Sequence, residues 1–238
     1  MLGKAALATV LTLALLTDCT VSPSAELINP KTGQYNKLAP APDLAGAATP
    51  NAQIWRAPDI AEYPASAYYI PEAKYFPGPA ETFGNLNTAQ KEQLARALTE
   101  NVRQAIGRSF RIADGPGPGV HRLDLIIGRI IPPSLVQPPP VPEWTGELVQ
   151  RNDMKAGTPG LFVVAGKFYD TTTNKELAAF LAPVQVPSYM DTPTPATPES
   201  TLRFALDASV QVANDIAASV VRQQQLNQPQ LMKRQPQS

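Results

Sequence analysis

Proline decides where this chain can build regular structure. Each proline lacks a backbone N–H and fixes φ, so it breaks a helix interior and, in a sheet, is confined to edges, strand ends or bulges. The chain of 238 residues carries 26 prolines, and they gather in segments that separate periodic stretches. That distribution implies a compact core interrupted by long irregular insertions. The apolar share of 43% is enough for a packed core and argues against wholesale disorder.

The densest local signal runs from Phe110 to Ile131. It reads as two strands joined into a stiff hairpin by Gly115-Pro116-Gly117-Pro118-Gly119. Gly115, Gly117 and Gly119 permit positive φ, and the two prolines fix φ between them. A phosphate cradle needs converging backbone N–H groups, usually at a helix N-terminus. Proline supplies none and the following residues are strand-like, so the three glycines are assigned to a structural turn. After Val120, Leu123, Leu125 and Ile127 alternate on one face, while Ile126 and Ile130 share the other with Arg122, Asp124 and Gly128. A strand apolar on one side and mixed on the other belongs in a sheet with one face only partly covered.

Helical spacing is clearest from Asn87 to Gly107. Asn87 and Gln90 form a capping-box pair, and Leu94, Leu98, Val102, Ala105 and Ile106 make one apolar stripe. Gly107 suits the left-handed C-terminal position. Ala67 to Ile70 reads as a strand that Pro71 ends or places at an edge. Leu161 to Asp170 is apolar on both faces and predicts a central strand; a turn over Asp170 to Lys175 leads into Glu176 to Val186, where Pro183 again implies an edge or strand end. Thr197-Pro198-Glu199 opens a second helix, whose stripe includes Ala205, Ala213, Ile216 and Val220 and which fades in Gln223 to Leu226. The expected fold is α+β: a single two-layer domain over residues 53–225, with a mainly antiparallel sheet of about 4–5 strands carrying two helices on one face, in the order β-α-β-β-β-β-α. Residues 132–159 form a proline-rich insertion, and 226–238 read as a disordered Gln-rich tail.

The first residues resemble an export signal. Lys4 supplies a positive start, and the apolar run Ala5 to Leu16 falls short of the roughly 20 residues a bilayer span needs. Residues 1–18 are read as a signal peptide of bacterial lipoprotein type, with Cys19 the acylated residue; Asp18 stands where such signals carry a small residue. The competing reading is an ordinary signal cleaved near Ser24. The only cysteine falls at the end of the apolar run, so no internal disulfide is available. More than one acyl chain at Cys19 would give stable membrane anchoring. Thr20 lacks the character of an inner-membrane retention signal, so the expected location is the periplasmic side of the outer membrane, the alternative being a soluble periplasmic or secreted protein. Residues 19–52 are a Pro/Ala-rich tether, free or docked through Leu27, Ile28, Tyr35 and Leu38. Trp55 is read as an anchor packing that tether on the core.

Formal net charge is zero with no basic run, so the electrostatic footprint of nucleic-acid binding is absent. His121 is the only histidine, which leaves no His/Cys metal set; Asp114, Asp124, Asp153 and Asp170 lack calcium-loop spacing. No cofactor is expected. A triad would have to use His121 without a nucleophile elbow, and a partly exposed hydrogen-bonding role suits it better. In the insertion, Pro138, Pro139, Pro140 and Trp144 are the candidate partner-binding residues, because a polyproline II segment docks into aromatic grooves.

Trp55-Arg56-Ala57-Pro58, the helix Leu94 to Ile106, Asp114 to Val120 with Leu123, Gly166 to Asp170 with Thr173 to Leu177, and the closing helix together resemble a bacterial lipoprotein family known as domain of unknown function thirty-three-thirteen. The resemblance covers residues 55–225 and implies a lipoprotein; it carries no assigned activity, ligand or catalytic residue. Asp18 and a longer proline-rich insertion depart from the family's pattern. The expected role is a non-enzymatic, protein-binding or accessory envelope factor with an unidentified protein partner. The alternative is a hydrolase acting on envelope polymers through paired carboxylates.

Overall fold

The computed structural model describes residues 38–41, 51–77, 82–133, 159–186 and 196–233, with side chains through Leu226. Strands β1 (Ala39–Pro40), β2 (Gln53–Arg56), β3 (Ala67–Tyr69) and β4 (Lys74–Tyr75) precede helix α1 (Thr88–Gly107), with a 3-10 turn at Ile60–Glu62. Strands β5 (Arg111–Ile112), β6 (Val120–Ile131), β7 (Gly160–Asp170) and β8 (Glu176–Val186) follow, and helix α2 (Pro198–Lys233) closes the chain.

The strands form one mixed sheet in the order β1-β2-β8-β7-β6-β3-β5, with β4 also on β6. Pairing from β1 across to β6 is antiparallel, and the β3–β5, β3–β6 and β4–β6 contacts are parallel. The α+β class, the largely antiparallel sheet and the two helices agree with the sequence reading. Among the described residues the sheet has eight strands, wider than expected, because strands of two to four residues carry little periodicity of their own.

Both helices pack on one face, where Leu94, Leu98 and Val102 of α1 and Ala205, Ala208 and Val212 of α2 meet Leu123, Leu125, Ile127, Phe162, Val164 and Phe180. Leu94, Leu98 and Val102 are wholly buried, each contributing about 1.5–3 kcal/mol of apolar transfer free energy. The other face holds a second cluster of Ile126, Ala165 and Ala179, against which Leu38, Trp55, Phe76 and Leu181 pack. Trp55 is thus an anchor, and Leu38 docks beside it where β1 extends the sheet; the other tether residues named above lie outside the described residues.

Several local expectations are corrected. Phe110 to Ile131 is not a hairpin: β3 lies between β5 and β6 and runs parallel to both. The Gly-Pro connection is poorly equipped to close a hairpin, since Pro116 and Pro118 have no N–H and the Gly117 N–H binds Thr171 Oγ1 at 3.1 Å. Of its glycines only Gly119 takes positive φ, at 66°. A register shift between Ile127 and Arg129 adds one residue to β6, so Ile130 joins Ile127 on the helix-bearing side. Gly107 remains inside α1, which ends at Arg108 in right-handed geometry. Pro183, by contrast, agrees with the edge reading: it is buried in β8 but lies beyond the stretch Ala178–Leu181 that β2 pairs, so its missing N–H interrupts no β2–β8 bond. Helix α2 runs on to Lys233, through Pro229, whose missing N–H removes one helical hydrogen bond while the flanking Gln, Leu, Met and Lys favour helix.

Asn87 caps α1 as predicted: its side chain accepts from the Gln90 N–H at 2.9 Å and the Gln90 side chain accepts from the Asn87 N–H at 3.0 Å. Thr99 Oγ1 donates to the Ala95 carbonyl at 2.8 Å and accepts from the Ala73 N–H at 2.9 Å. Arg103 donates twice to the Ile70 carbonyl, at 3.0 and 2.6 Å. These bonds pin the β3–β4 segment to α1. Asn101 Nδ2 then donates to Ser209 Oγ at 2.8 Å, linking α1 to α2.

Candidate functional site: a cavity at the open end of the sheet

The Gly-Pro connection delivers β6 to one end of the sheet, and three turns converge there. Thr171, the residue after β7, places its Oγ1 2.8 Å from the carbonyl oxygens of both Gly117 and Val120. Asp170 Oδ2 accepts from the Thr173 N–H at 2.7 Å and its hydroxyl at 2.6 Å, which closes the β7–β8 turn. Lys175 reaches from that turn to the Asp59 carboxylate. Its Nζ also lies 4.6 Å from the centroid of the Tyr63 ring. The segment Asp59 to Tyr63 is thereby folded over the sheet end.

Beneath that segment, between the C-terminal half of α2 and the sheet, is a cavity of about 50 Å³. Its buried floor is Tyr68, His121, Leu177, Ala178, Phe180, Ile216 and Val220, and half-buried Ile54, Arg56, Tyr63 and Gln223 form its rim. The void arises from residue size. Ala178 of β8 and Ser219 of α2 both line it, and neither side chain is large enough to fill the gap. Arg56 donates to Ser219 Oγ at 3.4 Å, and Gln224 to the Tyr68 hydroxyl at 3.5 Å.

His121 is the polar group of the floor. It is only 6% exposed, which corrects the expectation of partial exposure; the strand it begins is covered by α2 and the Asp59–Tyr63 segment. It hydrogen-bonds the backbone of Tyr63, and its Nε2 is buried without a partner, which assigns the Tyr63 bond to Nδ1. Burial pushes its pKa down, offset in part by the charge of cross-strand Asp170 and by the Tyr63 bond. The imidazole is therefore neutral at pH 7, with Nε2 the unprotonated nitrogen. Burial alone would raise the Asp170 pKa, but the Thr173 bonds hold it below the usual carboxylate value. Burial also raises the Tyr68 phenol.

The other candidate residues fall elsewhere. Cys19, Asp153, Pro138, Pro139, Pro140 and Trp144 lie outside the described residues. Asp114, Asp124 and Asp170 join no group of three or more potential metal ligands among the described residues. Among the described residues no helix is long and apolar enough to cross a membrane. Sequence reasoning found His121 but not its cavity. The signal available was Ser219, a small polar residue beside the apolar stripe of α2, though its opposite number Ala178 is a tertiary fact.

No family model matches the chain, and no curated protein matches it. Among solved structures it is similar to the PelC dodecamer from Paraburkholderia phytofirmans, at 9% identity and a TM-score of 0.34 over 69% of this chain and 94% of that one. It is also similar to protein XCC0632 from Xanthomonas campestris, of family DUF330, at 13% identity and a TM-score of 0.38 over 68% of this chain and 90% of that one. A third is a homologue of neuraminyllactose-binding hemagglutinin from Helicobacter pylori, at 8% identity and a TM-score of 0.41 over 73% of this chain and 92% of that one. These likenesses are distant. One of the three belongs to an uncharacterised family, but the resemblance to domain of unknown function thirty-three-thirteen rests on the chain's own motifs.

Proposed function

We propose that this chain is an exported envelope lipoprotein, anchored through Cys19 on the periplasmic side of the outer membrane, that acts by binding a protein partner as an assembly or accessory factor and performs no chemistry. The observation that supports binding over catalysis is the lining of the cavity. It contains no carboxylate, so an acid–base pair for glycoside cleavage is not assembled there. Its hydroxyl and imidazole are also not coupled: Ser219 accepts from Arg56, and His121 Nε2 bonds neither a hydroxyl nor any other partner. An activated nucleophile needs that bond. The partner contact is assigned to Pro138, Pro139, Pro140 and Trp144, by the polyproline argument.

The test is in-cell crosslinking and capture of the full chain beside a variant lacking residues 137–144. Loss of a specific crosslinked partner from a variant that still unfolds at the wild-type temperature is the expected result. Unchanged crosslinking overturns the assignment to this segment, and turnover of an envelope polymer by the purified chain overturns the non-enzymatic reading. For the anchor, Cys19→Ser is expected to move the protein from the membrane to the soluble fraction; retention in the membrane sinks the lipoprotein reading.

A further inference from the structure

We propose that residues 58–66 form a strap over the His121 end of the cavity, latched by Lys175 and by the bond between His121 and the Tyr63 backbone, and that this strap opens as the solution becomes acidic. The strap is separate from the proline-rich segment, so its failure and that of the partner contact are read independently.

Three observations carry it. First, every position from Pro58 to Ser66 is exposed or half-buried, so the strap sinks no side chain into the core. Its ends are fixed: the Ala57 N–H donates to the Leu177 carbonyl and the Ser66 N–H to the Gly119 carbonyl, each at 2.8 Å. Among the described residues the backbone–backbone bonds between those ends are internal to the strap, from Ile60 to Ala57, Glu62 to Asp59 and Tyr63 to Ile60. A segment with few buried apolar contacts belongs to the part of a fold that opens locally at small free-energy cost. Second, two side chains of the sheet end reach it. Lys175 Nζ meets the Asp59 carboxylate, donates to the Tyr63 hydroxyl at 3.4 Å and lies over the Tyr63 ring. The Tyr63 N–H is spent on the Ile60 carbonyl, so the bond from His121 runs to the Tyr63 carbonyl. Third, the strap helps to bury His121, the only histidine in the chain. Asp170 of β7 and Tyr68 of β3 pair with it, the Tyr68 ring edge-on at 5.8 Å. Around the cavity, β2 presents Arg56, and α2 presents only neutral side chains.

With the strap closed, burial holds the His121 pKa below its ordinary value of 6.5, and the Asp170 charge and the Tyr63 bond offset this only in part. Opening returns water to the ring, so the open form takes up its proton at higher pH. The preference for the closed form is complete above about pH 6.5 and is lost as pH falls from there towards the lower closed-state pKa. The latch itself keeps its charges in that range. The hydrogen bond between Lys175 and Asp59 holds the carboxylate below its ordinary value and the ammonium above its own.

The test combines backbone amide exchange along the strap with an NMR titration of His121, in the full chain and in Lys175→Met and Asp59→Asn. Protection of the strap amides, relative to the intrinsic exchange rate at each pH, is expected to fall from pH 7.5 to 5.5 in the wild type. Each variant is expected to lower protection at pH 7.5 by about two- to fivefold, the worth of an exposed ion pair, and to move the His121 pKa upward. The two substitutions remove charges of opposite sign. Direct electrostatics would therefore shift His121 in opposite directions, and only a shared loosening of the strap shifts it the same way. Opposite shifts, or none, overturn the proposal, and so does strap protection that stays level between pH 7.5 and 5.5.

Discussion

The two helices pack on the same sheet face and treat it differently. Along α1 every turn delivers a large side chain, Leu94, Leu98 and then Val102, each wholly buried. The adjoining segment is tied down by short bonds from Thr99 and Arg103. Helix α2 begins in the same manner but with small residues. Ala205, Ala208 and Ala213 let it approach closely, and Asn101 bonds Ser209 between the helices. Beyond Ile216 its neighbours are Ala178, Tyr63 and Arg56, and a cavity opens. Small residues draw two helices together when the facing element is also a helix. Opposite a sheet end roofed by a single turn, the same economy of volume leaves space. Stability is concentrated at the α1 end, and empty space at the other.

The largest effect expected from this contrast is in paired truncations. Leu98→Ala removes a wholly buried side chain from a region where surrounding atoms cannot collapse, and is expected to cost about 3–5 kcal/mol. Ile216→Ala enlarges a cavity whose rim is already half exposed, so relaxation and water offset part of the loss, and roughly 2 kcal/mol is expected. Urea unfolding of the two variants at constant m-value measures both. Equal losses would show that the cavity end is packed as rigidly as α1, and the contrast would break.

Two strand glycines sharpen it further. A Cβ at Gly160 would meet Phe204 at 2.5 Å and Pro133 at 2.7 Å, with crowding from two sides. A Cβ at Gly166 would meet the Phe180 ring at 2.5 Å and, less tightly, the Asp124 carbonyl at 3.1 Å, and Phe180 borders the cavity. Its ring has somewhere to go. Gly160→Ala is expected to cost about 2–3 kcal/mol and Gly166→Ala about 1 kcal/mol. A Gly166→Ala variant as unstable as Gly160→Ala would mean that Phe180 cannot move into the void.

The α1 end was largely legible in the sequence, and the cavity end was not. The stripe from Leu94 to Ile106 and the Asn87–Gln90 cap are local patterns, and local patterns determine a helix. The central place of β7 followed from its apolar residues on both faces. The insertion of β3 between β5 and β6 had no such signature. It depends on which strand reaches the gap, as the Ser66 N–H does to the Gly119 carbonyl at 2.8 Å and the Ala113 N–H to the Tyr68 carbonyl at 2.8 Å. Ile130 was assigned to the wrong face because one bulged residue inverts a period-2 pattern. His121 stood out as the only histidine, but its burial needed Tyr63 and α2 folded over it. Ala178 and Ser219 are small residues that draw no notice until the fold brings both to one cavity.

The smallest expected effect is a pH dependence confined to the cavity end. Burial holds the folded pKa of His121 below its ordinary value of 6.5. The unfolded chain therefore binds the proton first as pH falls. The contribution of neutral His121 to stability is complete above about pH 6.5, and it is lost as pH falls through that value to the lower folded pKa. Asp170, held below 3.8 by the Thr173 bonds, loses its own contribution only in more acidic solution, so the two windows are separate. At the α1 end half-buried Tyr75 donates its phenol proton to the Lys91 carbonyl at 3.0 Å, and burial drives its pKa upward. It stays neutral throughout. Urea midpoints measured at pH 7.5 and 5.5 are therefore expected to fall with acidification in the wild type and in Leu98→Ala alike, and to fall less in His121→Phe. An unchanged slope in His121→Phe would place the proton-linked step outside the cavity, and the contrast between the two ends would then be one of packing alone.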